Sequence, residues 1–274
     1  MDFSSPQTAH TRPFARLLAS ALMVVLGGMA AASTGAGSQE PHGAGPDVQR
    51  LPELRRSYVV LLDGEQQGTV DQTLRHHPDG FVRGGAEGGA LRTAEPVWES
   101  TSRMSAPLQE HERTMVFSSP GLRPLLLEQR PLRGGEPVVL LRAEGPFLRG
   151  RVELPELDAA PREVEIELEE ETVLSGMDEY LLAATALSPG KRLSVPMVDL
   201  AEGGITSVTF RVAEDPEVVE VPAGSFEVLR VHVAGGPAPQ DLLVRREAPH
   251  VVIRQEFRGR PLTLELTHLD ERAP

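Results

Sequence analysis

The stretch Glu220-Val221-Pro222-Ala223-Gly224-Ser225-Phe226-Glu227-Val228-Leu229-Arg230-Val231-His232-Val233 decides the fold of this 274-residue chain. Two runs rich in β-branched and large apolar residues flank Pro222, which fixes φ, and Gly224, which frees it, so the segment reads as strand, tight turn, strand. Pro222, Gly224 and Phe226 form the structural turn motif of this hairpin. Downstream, strand-length runs follow at Leu242–Arg246, Val251–Phe257 and Leu262–Leu269. In the last, Leu262, Leu264 and Leu266 alternate with Thr263, Glu265 and Thr267, and period two sends one set to a core and the other to solvent.

Upstream the same grammar repeats. Tyr58–Leu62 and Thr69–Leu74 flank an Asp63-Gly64 turn and predict a second hairpin. Strands are expected at Pro96–Met104, Arg113–Ser118, Leu125–Gln129 and Val138–Ala143. Pro120-Gly121, Gly134-Gly135 and Gly145-Pro146 separate them, as an antiparallel meander requires. Glu163–Glu169 alternates strictly, placing Val164, Ile166 and Leu168 on the core and leaving the glutamates as a solvated row rather than a cation surface. Leu193–Val198 and Ile205–Ala213 complete the set.

One segment breaks the β pattern. Ser175 with Asp178 three residues on has the form of a capping box, and Ser188-Pro189-Gly190 ends the run, which predicts a short helix over about 176–187. Met177, Tyr180, Leu181, Ala184 and Leu187 recur at helical spacing, so the helix should lie on the sheet as a plug or lid. The fold expected is therefore all-β: a single antiparallel, strongly curved sheet or open barrel with that helix packed against it. Leu125-Leu126-Leu127, Val138–Leu141 and Val251-Val252-Ile253 are apolar without alternation, and such strands must be covered on both sides. Either the helix and loops sandwich part of the sheet, or its concave side encloses an apolar cavity that needs a ligand.

The N-terminus sets the compartment. Arg12 and Arg16 precede the apolar run Leu17–Met29, and Ala30-Ala31-Ala32 offers small residues for cleavage, so residues 1–32 read as a signal peptide. The run is shorter than the roughly 20 apolar residues of a membrane anchor and holds two glycines, which favours cleavage over retention. Residues 33–54 are Gly/Pro-rich and read as a flexible tether, and 55–270 as a single β-rich domain. The protein is thus expected in the periplasm, with a mature domain that does not span the membrane.

Composition narrows the partners. A net charge of −13 repels phosphate backbones and argues against nucleic acid, and 4% aromatic residues argue against stacking on sugars. The absence of cysteine excludes disulfides, thiolate catalysis, cysteine-ligated metals and a lipid-acceptor cysteine.

No chemistry announces itself. His76-His77 on a strand would point to opposite faces, and His111-Glu112 lacks the second histidine of a zinc hydrolase. His232, His250 and His268 lie on three late strands and are the one trio that neighbouring strands could assemble. Ser225 lacks the second glycine of a nucleophile elbow, and Gly84-Gly85 with Gly88-Gly89 misses phosphate-loop spacing. We assign no catalytic residue, no metal ligand, no cofactor and no ligand-binding residue, and expect a protein that is not an enzyme.

Leu181-Leu182 through Leu187-Ser188-Pro189-Gly190, then a strand pair, then Val221-Pro222-Ala223-Gly224-Ser225-Phe226, resembles the bacterial domain-of-unknown-function 3108 family. The hairpin at Asp63-Gly64 and the Glu99-Ser100 strand are similar to that family's opening. Leu242-Leu243 stands where the family tends to have an aromatic residue, and Val228 where it tends to have a small residue or cysteine. The resemblance implies an exported β-rich envelope domain akin to half-barrel lipoprotein carriers, and brings no activity. The expected function is a non-catalytic periplasmic protein that holds an apolar or amphiphilic ligand, such as a lipid, in its curved sheet. The alternative is a structural or interaction protein of the envelope with a filled core, and an enzyme of unknown reaction comes third.

Overall fold

The computed structural model describes residues 46–83, 91–106, 109–153, 160–236 and 238–272. The signal segment, the tether up to residue 45 and the glycine pairs at 84–89 lie outside the described residues. A single 3-10 turn (Val48–Arg50) leads into the strands β1 (Glu53–Leu62), β2 (Glu65–His77), β3 (Phe81–Arg83), β4 (Leu91–Thr93), β5 (Val97–Ala106), β6 (Gln109–Ser118), β7 (Pro124–Pro131), β8 (Val139–Glu144), β9 (Phe147–Val152), β10 (Arg162–Glu167) and β11 (Val173–Leu174). Helix α1 (Asp178–Ala183) follows. The chain then continues through β12 (Arg192–Asp199), β13 (Gly204–Val212), β14 (Glu217–Val221), β15 (Gly224–Ala234), β16 (Gln240–Arg245), β17 (Val252–Phe257) and β18 (Leu262–Arg272).

Sixteen of the strands form one sheet in the order β10-β9-β8-β7-β6-β5-β2-β1-β18-β17-β16-β15-β13-β12-β11, with β14 paired to β15 off this path. Every pairing is antiparallel except β11 with β12. The order is the chain order closed into a circle at β1–β18 and cut between β10 and β11. Only Leu168–Thr172 joins those two edges, a reach of roughly 20 Å at full extension, so the sheet must curl round until its ends meet. Arg162 of β10 spans the seam, donating from Nη2 to the carbonyls of Leu200 and Ala201 beyond β12. Register breaks at Ser57/Tyr58, Val60/Leu61, Val116/Phe117 and Leu243/Val244 supply the bending and extra twist that such a curl needs. Gly150 is required where β8 and β9 close up: its φ is 145°, and a Cβ there would lie 2.0 Å from the Leu140 carbonyl oxygen.

The curl places inward residues of most strands in one main core, from Leu54 and Leu74 through Phe117, Leu141 and Ile166 to Phe210, Val231 and Leu242, while Leu262, Leu264 and Leu266 of β18 form a second cluster with Tyr58, Val60, Val70 and Met104. The unalternating runs are explained by cover on the second face. Leu127 joins the main core, whereas Leu126 packs with Val97, Val116 and Phe81 under the separate β3–β4 ribbon. Leu242 and Val244 likewise join the main core, and Leu243 between them packs with Val219, Val221 and Phe226 of the β14–β15 hairpin. In that hairpin Val221 pairs with Gly224, whose φ is 134°, and the Ala223 N–H reaches across to the Leu266 carbonyl at 3.0 Å. The turn motif thus pins the hairpin to the last strand.

Two expectations change. The folded domain starts before residue 55, since Val48 and Leu51 are buried and the Asp47 N–H donates to the Ala184 carbonyl at 2.8 Å. Glycine and proline around them mask these two apolar contacts in the composition. The helix is also shorter than 176–187. Met177 stands at its N-cap position without a side-chain cap, and the Ser175 hydroxyl has no hydrogen-bond partner among the described residues, so the capping box does not form. At the other end Asp47 takes the Ala184 carbonyl and Thr185 Oγ1 donates to the Leu181 carbonyl at 2.7 Å, which ends the helix early.

Candidate functional site

Helix α1 sits inside the curl, with Met177, Tyr180, Leu181 and Ala184 buried together with Leu182 and Ala183. A helix apolar on nearly every side is a plug rather than a surface lid. Polar ties from four strands hold it. Arg56 of β1 forms an ion pair with Glu179 and donates from Nε to Gln72 of β2 at 2.7 Å. The Ser100 hydroxyl of β5 lies 2.5 Å from the Tyr180 hydroxyl, and Tyr180 stacks on Phe117 of β6 at 5.5 Å. Arg113, also of β6, donates to the Ser175 carbonyl. Gln240 of β16 donates to Asp178 Oδ2 at 2.9 Å and accepts from Gln255 of β17 at 2.5 Å.

Beneath the plug remains a chamber of about 70 Å³. Its lining is mixed, polar at Gln72, Ser102, Arg113, Ser175, Asp178 and Gln240 and apolar at Tyr58, Val70, Met104, Val233, Val252 and Leu264. Lipid-sized and drug-sized sites run to roughly 300–1,000 Å³, so in this conformation the chamber takes several waters or one small ligand.

Electrostatics in the chamber follow from burial. Arg56 and Arg113 balance Asp178 and Glu179 in formal charge. Burial pushes the Asp178 carboxyl up to about 6, with adjacent Glu179 adding to the rise, and the Gln240 hydrogen bond and Arg113 pull back only part of it. Burial brings Arg113 down to about 10 against the pull of Tyr180, Asp178 and Glu179. At Arg56 burial works in the same sense, but Glu179 together with Tyr58 and Tyr180 outweighs it, and the guanidinium is held above its ordinary range. His111, two residues from Arg113 on the same face of β6, falls to about 4 through burial and that neighbouring charge. Two polar atoms at the chamber, Asp178 Oδ1 and Ser175 Oγ, are buried with no hydrogen-bond partner among the described residues. Each is a position at which a bound donor would satisfy an otherwise costly group.

The sequence-assigned residues fall elsewhere. Met177, Tyr180, Leu181 and Ala184 fix the plug but do not line the chamber, which meets the helix through Asp178 and Glu179 instead. Pro222, Gly224 and Phe226 belong to the hairpin turn and also lie outside the lining. His76 stacks on Trp98 at 4.7 Å, while His77 lies 3.2 Å from Glu99. The late histidine trio does not assemble. His232 pairs with Asp241, His250 lies 3.0 Å from the Arg245 carbonyl, and exposed His268 sits opposite Ser57. Among the described residues no group of three metal-ligating side chains converges. Nor is any described helix long and apolar enough to cross a membrane. Sequence reasoning missed Arg56, Gln72, Arg113 and Gln240. Each shares strand parity with core residues, Arg56 with Leu54 and Tyr58, Arg113 with Met115 and Phe117, and that parity was the available signal.

Fold and chamber together define an all-β protein built on one open, curled antiparallel sheet around a helical plug. No protein-family model and no curated protein matches the chain, so the likeness to the domain-of-unknown-function 3108 family rests on its turn motifs alone. Among solved structures, it is similar to a beta-barrel-like protein of a domain of unknown function, DUF1849, from Brucella abortus. That match has 13% identity and a TM-score of 0.49, and covers 81% of this chain and 99% of the other. An inferred exported protein with a YmcC-like fold from Bacteroides fragilis matches at 7% identity and a TM-score of 0.31, covering 82% and 98% of the two chains. An inferred lipoprotein from Parabacteroides distasonis matches at 9% identity and the same TM-score of 0.31, covering 83% and 100%. At these values the architecture is defined by the chain's own strand pairing and not by its neighbours.

Proposed function

We propose that this is a non-catalytic, exported envelope protein whose curled sheet holds a small amphiphilic ligand in the chamber under α1. The signal-like N-terminus supports export to the periplasm. The observation that carries the ligand is the pair of unpartnered buried atoms, Asp178 Oδ1 and Ser175 Oγ, in a chamber lined by polar and apolar side chains together. A ligand with a hydrogen-bond-donating head and a short apolar body matches both kinds of lining. A full acyl chain does not fit without displacing the plug, which narrows the class from lipids to short amphiphiles. The test is native mass spectrometry of the protein purified gently from its own host. A bound species released by denaturation and absent from Ser175→Leu supports the reading, and bare protein from every preparation refutes it.

The small chamber also favours a second reading, a structural or interaction protein of the envelope whose core is essentially filled. Cross-linking in cells separates the two, because this reading requires a discrete partner and no small molecule.

A further inference from the structure

The outer face carries a second, independent feature. Across the sheet, Arg192 of β12 stands directly opposite Arg211 of β13, Arg211 opposite His232 of β15, and His232 opposite Asp241 of β16. Arg258, just beyond β17, joins Arg192, Arg211 and His232 around a surface depression floored by Thr209 and Ala234. Asp241 is already engaged: it accepts from Arg258 Nε at 2.8 Å and lies 2.9 Å from His232 Nδ1. Arg192 and Arg211 are exposed and have no acidic partner among the described residues.

Several other surface arginines are matched. Arg103 is matched to Glu112, Arg149 to Glu144 and Glu165, and Arg246 to Glu227. Like charges directly opposite on neighbouring strands are destabilising, and in a chain of 40 acidic and 27 basic residues an acidic neighbour is the commoner option. The overall charge of −13 does not forbid an anion here, since exposed charges beyond about 8 Å are largely screened at physiological salt. Three arginines against Asp241 leave a local excess of positive charge suited to a dianion.

We propose that this depression binds a phosphate-class oxyanion between Arg192, Arg211 and Arg258. Planar guanidinium forks hold phosphate oxygens in pairs, a geometry that lysine does not offer. The phosphate belongs either to a free phosphorylated compound or to the headgroup of an anionic phospholipid lying against this face.

The full chain is titrated with inorganic phosphate by calorimetry and sedimented with phosphatidylglycerol or phosphatidylcholine vesicles. The wild type, Arg192→Gln/Arg211→Gln and a control, Arg103→Gln, are compared. We expect the double variant to lose about tenfold or more in affinity and the control to keep it. Arg211→Lys, which keeps the charge and loses the fork, should fall between them, and it serves alone if the double variant melts early. Binding of inorganic phosphate identifies a free phosphorylated compound as sufficient, and binding only of phosphatidylglycerol vesicles identifies the headgroup. The proposal is overturned if the wild type binds neither probe, or if the arginine variants bind as the wild type does.

Discussion

Asp178→Asn tests the interior electrostatics. The Asp178 carboxyl is raised from 3.8 to about 6 by burial. The folded chain therefore holds this proton more tightly than the unfolded chain, and the stability it contributes is complete below about pH 4 and lost as pH rises through about 6. Each pH unit separating the folded from the unfolded value is worth about 1.4 kcal/mol, so that loss is on the order of 3 kcal/mol. Asparagine is isosteric and still accepts from Gln240, but it does not titrate. The unfolding free energy of the variant minus that of the wild type should move by about 3 kcal/mol in the variant's favour between pH 4 and pH 7. Any constant offset from the amide cancels in that comparison. For a domain of this size the movement corresponds to roughly 6–12 °C in Tm. Urea or thermal melts across the window read it directly, and a difference that stays constant within about 0.5 kcal/mol would falsify the desolvation of Asp178.

His111 works in the opposite sense. Its lowered value of about 4 gives stability that is present above pH 6.5 and lost as pH falls toward 4, so His111→Gln should gain on the wild type by about 3 kcal/mol on acidification. Calorimetric melts at pH 7 and pH 4 check this, and equal pH profiles would count against His111 as a buried neutral group. Arg56→Met strands the Glu179 carboxylate inside the sheet and should cost about 3–5 kcal/mol, much of it recovered when Glu179→Gln is added. Additive losses in that double-mutant cycle would show the pair to be uncoupled. A Cβ at Gly224 meets nothing closer than Phe226 Cε2 at 3.8 Å, so the loss of about 1–3 kcal/mol expected for Gly224→Val is chiefly conformational, set by a φ of 134°. Gly150→Ala, with the Leu140 carbonyl 2.0 Å from the new Cβ, should be worse, and equal melting of the two variants would refute the tight β8–β9 approach.

What the sequence makes legible is the local grammar. Pro222 and Gly224 mark a turn because only their backbone preferences fit one, and Val164, Ile166 and Leu168 face inward because period two leaves no other choice. The strand β9 is hidden because Arg149, Gly150 and Arg151 interrupt its apolar pattern where the backbone, not the side chain, makes the contact. Long-range closure is also hidden. Nothing local to Glu53–Leu62 says that it pairs with Leu262–Arg272, or that Arg162 reaches over the seam to Leu200 and Ala201. The plug and its chamber are hardest to see, because Arg56, Arg113, Asp178 and Gln240 come from four distant segments and acquire their roles only when the sheet curls around α1. The outer arginine row is similar: Arg192, Arg211 and Arg258 look like ordinary surface residues until the register sets them together.

What occupies the space between Asp178, Ser175 and Gln255 decides whether this is a ligand-holding protein. A high-resolution crystal structure of protein purified without denaturation from its host would show it directly. A ligand-holding chamber predicts continuous density for a short amphiphile, its head within hydrogen-bond distance of Asp178 Oδ1 and Ser175 Oγ and its body against Val70, Met104 and Leu264. Density for nothing but discrete waters bridging those atoms, in protein that has never been unfolded, would contradict it.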